Sequence, residues 1–191
     1  EDIKFIREST KFFAFIVYSY STQRVLRGML SLDIETKLLN QEAFLERLST
    51  DLYKAKEAEL PGTLVLLKID EFLEQDSFFE GDPFPKVLNY VVNLINEEMT
   101  PLNLVGRMDR RIFGIYFFNT ASNEIYVWAE KLRIKIARKP IAVSAKQTTF
   151  TVSIGVASTK NKTDAEEVLR NAELALNKAL EKGGNAVKSI N

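Results

Sequence analysis

Apolar residues recur every third or fourth position in some stretches of this chain and fill short unbroken runs in others, and the two patterns alternate along the sequence. The first segment, residues 3 to 30, suits one helix with a weak point at Gly28. Within it Phe12 to Tyr20 reads FFAFIVYSY, and nine residues fall short of the roughly 20 that span a bilayer. Lys4, Arg7 and Lys11 precede the run as in a signal peptide, but no small-residue cleavage signature follows. Three placements suit it: a helix packed on the domain or on a second copy, a juxtamembrane piece, or a hidden apolar element of another kind. The chain opens on Glu1 rather than Met, which reads as a piece of something longer.

Asn40 is a good helix cap, Gln41 and Glu42 fill a first turn, and Phe44, Leu48 and Leu52 follow at helical spacing, predicting a helix to about Glu59 stopped by Pro61-Gly62. Leu64 to Leu67 is an unbroken apolar run, as expected of a central strand covered on both faces. Asp82-Pro83 resembles a cap and a first-turn proline, opening a helix through Val87, Val91 and Leu94 or Ile95. Leu102 to Val105 and Ile112 to Phe118 read as strands joined by a tight turn over Met108 to Arg111. A helix from Ala121 to Arg138 would bury Ile125, Trp128, Leu132 and Ile136. A second strand pair runs from Ile141 through Ala157. Thr163 with Glu166 makes a capping box for a helix burying Val168, Ala172, Ala175, Leu176 and Ala179. Gly183-Gly184 ends that helix, and Ala186 to Ile190 supplies a last strand. Helices alternating with strands predict an α/β or α+β fold, a central mixed sheet flanked by helices on a ferredoxin-like plan, preceded by an N-terminal helix.

Composition narrows the chemistry. The 191 residues suffice for one domain, and 26 basic against 26 acidic residues leave no global field to draw in nucleic acid. Cysteine and histidine are both absent, which excludes a disulfide, a thiol nucleophile, a Cys/His zinc site and imidazole acid–base chemistry. The missing cysteines fit a cytoplasmic protein.

Four stretches, in order, resemble the diguanylate cyclase (GGDEF) domain, which in its active form condenses two GTP into cyclic di-GMP. Asp33 to Phe44 (DIETKLLNQEAF) is similar to D-x-L-T-G-L-x-N-R-x-x-F, Lys68 to Phe72 (KIDEF) to D-I-D-x-F, and Ser153 to Ala157 is the S-I-G-V-A strand intact. Ala172 to Asn185 resembles A-D-x-A-L-Y-x-A-K-x-x-G-R-N. The similarity covers Leu32 to Ser189 and implies a nucleotidyl-cyclase-like core, with residues 1–30 a connecting or dimerisation helix and 31–191 a degenerate GGDEF-like domain.

The resemblance also implies where chemistry would sit. Active members hold two metal ions with an Asp at the first-strand end, the carbonyl beside it and an acidic hairpin residue; hard dications want oxygen ligands. Here Lys68 stands at the first place, and Asp109-Arg110-Arg111-Ile112-Phe113 matches the GGDEF hairpin, so Arg111 and Ile112 replace its two acids. Asp109 and Arg110 replace the glycines, whose missing side chains let the backbone approach the nucleotide. Leu180 and Gly184 match the phosphate-holding Lys and Arg. The guanine-recognising Asn is matched by Asp76, and Gly81-Asp82 matches a later Gly-Asp pair about three residues early, with helix capping the plainer role for Asp82.

No catalytic residue, cofactor or metal is therefore expected. Lys68, Arg107, Arg110 and Arg111 are candidates for a cationic cluster, either an altered anion patch or internally paired with Asp70 and Asp109; with Asp76 and Asp82 they outline a vestigial nucleotide pocket. Asp33 and Glu35 show no spacing that marks an acid–base pair. Thr100 to Asn103 (TPLN) stands where the family carries its R-x-x-D product-inhibition motif, so cyclic di-GMP is not expected by that route. The expected function is a non-catalytic signalling or scaffolding module acting through a protein partner, itself included, by the N-terminal helix. It would be cytoplasmic, as it stands or as the cytoplasmic part of a membrane-anchored parent chain. The alternative is a nucleotide- or anion-binding regulator using the altered pocket.

Overall fold

The computed structural model describes residues 9–19, 22, 31–72, 82–143, 146–181 and 183–190. Residues 9–19 are helical (α1); the rest of the helix expected over 3 to 30 lies outside the described residues, apart from Thr22. Phe12, Phe13, Phe15, Val17 and Tyr18 on α1 are 64–70% exposed, an apolar surface that no described residue covers.

Residues 31–38 form a turn held by Asp33, whose Oδ1 accepts from both the N–H and the hydroxyl of Thr36. It leads through the two-residue strand β1 (Leu39–Asn40) into α2 (Gln41–Glu57), where Asn40 Oδ1 caps by accepting from Ala43 N–H at 2.9 Å. The apolar run becomes β2 (Gly62–Ile69), followed by α3 (Phe84–Glu98), the hairpin strands β3 (Leu104–Asp109) and β4 (Ile112–Phe118), and α4 (Ser122–Arg138). A small hairpin, β5 (Ile141–Val143) with β6 (Lys146–Thr148), stands apart from the main sheet. The chain then returns as β7 (Val152–Ser158), α5 (Ala165–Leu180) and β8 (Val187–Ile190).

The main sheet runs β1-β3-β4-β2-β7-β8, with β2 central and antiparallel to both β4 and β7, and both outermost pairs parallel. Alternation along β2 splits the core between the faces. Val65, Leu67 and Ile69 pack with Val87, Val91 and Ile95 of α3 and Ile125, Leu132 and Ile136 of α4. Leu64 and Leu66 pack with Phe44 and Leu48 of α2 and Val168, Ala172 and Leu176 of α5. The expected mixed sheet flanked by helices is the observed fold. Gly155 sets the α5 side: a Cβ there would lie 2.4 Å from Ala172 O and from Leu176 N, so only glycine lets that helix sit this close.

Several local expectations are corrected. Leu102 is exposed and belongs to a turn, and β3 runs on to Asp109 because a bulge absorbs Met108 and keeps Asp109 opposite Ile112; the hairpin turn is thus only Arg110-Arg111. Helix α5 starts one residue later than a Thr163 cap requires, so Asp164 caps it, accepting from Glu166 N–H at 2.9 Å. On α4 it is Ala129 that is buried; Trp128 sits at the core's margin, edge-on to Phe117, and donates from Nε1 to Glu98 at 2.7 Å.

Candidate functional site

The hairpin between β3 and β4 carries the three arginines, and each is committed differently. Arg107 is buried on β3, where its NH1 donates to Asp33 Oδ1 at 3.0 Å and to Glu35. Its NH2 donates to Arg110 O at 2.9 Å, so one guanidinium ties the residue 31–38 turn to the hairpin tip. Its ion pairs therefore run to Asp33 and Glu35, not to Asp70 or Asp109; of Asp109 it engages only the backbone carbonyl. Burial pushes the Asp33 carboxyl up, but the Thr36 hydrogen bonds and the Arg107 guanidinium outweigh it and hold it below the usual carboxylate range. Burial lowers the Arg107 pKa and the two carboxylates raise it further, so it stays charged.

Arg110 and Arg111 fold down onto aromatic rings. The Arg110 guanidinium carbon lies 4.4 Å from the Phe84 ring centroid, and that of Arg111 lies 5.3 Å from both the Phe72 and Phe84 centroids. Arg111 NH1 also donates to the backbone carbonyl of Asp70 at 2.9 Å. Phe84 opens α3 one residue later than an Asp82 cap requires, so Pro83 stands at the cap position and Asp82 Oδ1 accepts from Phe84 N–H at 2.9 Å from just outside the helix. The hairpin tip is thereby stapled to the end of β2 and the start of α3.

Asp70 is buried and occupied. Its carboxylate accepts from Ser153 Oγ and Thr151 Oγ1, both at 2.6 Å, and from Asn185 N–H at 2.9 Å. Lys68 stands apart from the arginines. It lines a cleft of ≈ 470 Å³ between the hairpin end of the sheet, α5 and the start of α2, together with Ile112, Asp109 and Leu180. The structure thus joins Lys68 and Leu180, positions that the resemblance assigns to metal and phosphate binding, with Ile112 of the hairpin, while the Arg111 side chain is turned to Asp70 and the phenylalanines. Asp76 and Gly81 lie outside the described residues. Thr100 to Asn103 is a closed turn in which Asn103 Oδ1 accepts from the N–H and hydroxyl of Thr100, both at 2.8 Å.

Sequence reasoning missed the Arg107–Asp33–Glu35 pairing and the partners of Asp70. The first joins residues 74 and 72 positions apart and leaves no local signal. The second had one: Ser153 interrupts an apolar buried strand, and a buried hydroxyl needs a partner.

A six-stranded mixed sheet with helices on both faces and a hairpin tip bent over the end of its central strand defines a protein of the nucleotidyl-cyclase-like α+β class. A family model described as "Diguanylate cyclase, GGDEF domain" matches residues 30–186, and this chain belongs to that family. The chain shares 25% identity over 191 residues with "Probable diguanylate cyclase DgcT" of Escherichia coli K12, covering 97% of this chain and 41% of that protein. Diguanylate cyclase DosC of the same organism is 23% identical over 167 residues, covering 87% of this chain and 36% of that protein. The chain thus spans roughly two-fifths of the length of these relatives. Among solved structures, the coiled coil and GGDEF domain of DgcB from Caulobacter crescentus, in complex with c-di-GMP, superposes with a TM-score of 0.79 at 22% identity, covering 95% of this chain and 96% of that one. Diguanylate cyclase SiaD of Pseudomonas aeruginosa, solved with its activator SiaC, superposes with a TM-score of 0.73 at 21% identity, covering 98% of this chain and 73% of that one. No described helix is long and apolar enough to cross a membrane.

The family implies divalent metal ions beside the β2 end. The side chains present do not fit them: an ammonium at Lys68 and a guanidinium at Arg111 repel a dication, and the buried carboxylate at the β2 end, Asp70, is already holding two hydroxyls and an N–H. Among the described residues no three Asp or Glu side chains converge as a metal site.

Proposed function

We propose that this chain is a non-catalytic member of the GGDEF family, a signalling or scaffolding module that acts through protein contacts and has no diguanylate cyclase activity. Its relatives are named as cyclases, so the proposal is that this chain departs from them. The observation that carries it is the fate of the hairpin: Arg111 bonds to the Asp70 carbonyl and stacks on Phe72 and Phe84, while Lys68 occupies the place of a metal-binding acid. Phosphoryl transfer onto a hydroxyl needs positive charge held beside the transferring phosphate in a fixed geometry, and these side chains hold neither a dication nor an open hairpin for it. Incubating the chain with GTP and Mg²⁺ or Mn²⁺ and separating the nucleotides should return GTP unchanged; formation of cyclic di-GMP overturns the reading.

Residues 1–30 serve in this reading as a connecting and self-association helix, and residues 31–191 as the module that meets the partner in the cytoplasm. The support is the apolar, exposed surface of Phe12 to Tyr18, which burial between two copies would remove from water. Solution mass should be that of a dimer for the full chain and of a monomer for F13E/V17E. A monomeric full chain overturns self-association. Cyclic di-GMP is not a ligand by the family's inhibitory route in this reading, because the Thr100–Asn103 turn offers it neither an Arg nor an Asp.

A further inference from the structure

The cleft that holds Lys68 is built for something other than a triphosphate. Its floor is the hairpin end of the sheet, with Leu66 and Lys68 on β2 and Ile112 on β4, and its wall is one stripe of α5 carrying Glu173, Leu176 and Leu180. A volume of ≈ 470 Å³ is of the size that holds small organic molecules, roughly 300–1,000 Å³. Lys68 is half-buried there, and its side chain makes no hydrogen bond or ion pair with any described residue; nor does that of Glu173. Asp109 also lines the cleft, with one carboxylate oxygen accepting from Arg110 N–H at 2.7 Å.

One cation and two carboxylates face a space floored by leucine and isoleucine. A polyanion would meet Asp109 and Glu173 as like charges, and a plain hydrocarbon would leave Lys68 and Glu173 unanswered. A ligand with one charge of each sign and an apolar body answers all three features. We propose that this cleft binds a free α-amino acid with an apolar side chain, its carboxylate on Lys68, its ammonium on Glu173 and Asp109, and its side chain against Ile112, Leu176 and Leu180.

The sheet register supports the fit. Lys68 and Asp109 both stand opposite Ile112, on its two sides, so their Cα atoms lie two strand spacings apart, roughly 10 Å. Both side chains line the cleft, so opposite charges flank Ile112 on its two sides. The inference rests on the reading above that a triphosphate is not this cleft's ligand.

The test is a titration of the full ¹⁵N-labelled chain with L-leucine and L-phenylalanine, read by amide chemical shifts. Shifts should gather at residues 66–68, 109–112 and 173–180. Lys68→Met, and Glu173→Gln at an exposed helix position, should each weaken binding about tenfold. Octanoate, which has the carboxylate and the apolar body but no ammonium, should bind more weakly than either amino acid. Silence of those amides up to about 10 mM of both amino acids overturns the proposal. So does unchanged affinity in both variants, or octanoate binding as tightly as the amino acids. GTP turnover by the same sample would overturn the non-catalytic reading and with it the ground of this inference, whereas silent cleft amides without turnover overturn this inference alone.

Discussion

Ser153 Oγ donates to Asp70 Oδ1 at 2.6 Å, across 83 positions of sequence. Thr151 Oγ1 and Asn185 N–H complete the set, so one buried carboxylate joins the end of β2, the entry to β7 and the loop between α5 and β8. Replacing Asp70 with Ala orphans two hydroxyls and a backbone N–H, and should cost about 2–4 kcal/mol. Asp70→Asn keeps an acceptor but turns an NH₂ group towards a donor, and should fall between. Urea denaturation of the three proteins measures the order; Asp70→Ala within about 0.5 kcal/mol of the parent would show that these bonds do not hold the fold.

Arg107 is the second tie. Its side chain is 7% exposed, against 24% for Asp33 and 63% for Glu35, so the cost of desolvation falls on the guanidinium and the partners stay partly solvated. Arg107→Met should therefore destabilise by about 2 kcal/mol, below the ~3–5 kcal/mol of a fully buried pair. A double-mutant cycle with Asp33→Asn should show coupling between the two positions. Strict additivity would mean that the contact is energetically idle.

The same pair sets a pH dependence. Asp33 has a folded pKa below its unfolded value, so it binds fewer protons in the folded state. The stability it contributes is complete above the unfolded value of about 3.9 and is lost as the pH falls through the lower folded value. Unfolding midpoints should drop more steeply below about pH 4 in the parent than in Asp33→Asn. Identical acid limbs would contradict the assignment.

Gly155→Ala tests the packing of α5. The added methyl would meet backbone atoms at 2.4 Å, which cannot rotate away as a side chain can, so the helix must lift from the sheet. A loss of about 2–3 kcal/mol is expected, read as a lower thermal midpoint. An unchanged midpoint would mean that α5 moves at no cost.

The placement of elements was legible because burial writes itself into spacing: Phe44, Leu48 and Leu52 at every fourth position, the run Leu64 to Leu67, and Val168, Ala172 and Leu176 are all core residues in their expected elements. Caps and turns were legible to within a residue or two, since Asp82 and Asp164 compete with neighbouring residues for the same few N–H groups. The candidate site was legible only as a set of residue types. Which carboxylate Arg107 meets depends on how the 31–38 turn lies against β3, and what Arg111 does depends on Phe72 and Phe84 arriving from different segments; neither is encoded in local spacing. The separation of Lys68 from the arginines likewise follows from the hairpin's bend at its tip.

The main sheet ends in a two-residue strand on one side and a four-residue strand on the other. Margins that short present almost no row of open backbone groups, so a foreign β-segment finds no template there to extend. Recognition by this domain accordingly falls to side chains rather than to an open sheet edge. Surface substitutions should then be able to retune its specificity while the backbone ladder stays untouched.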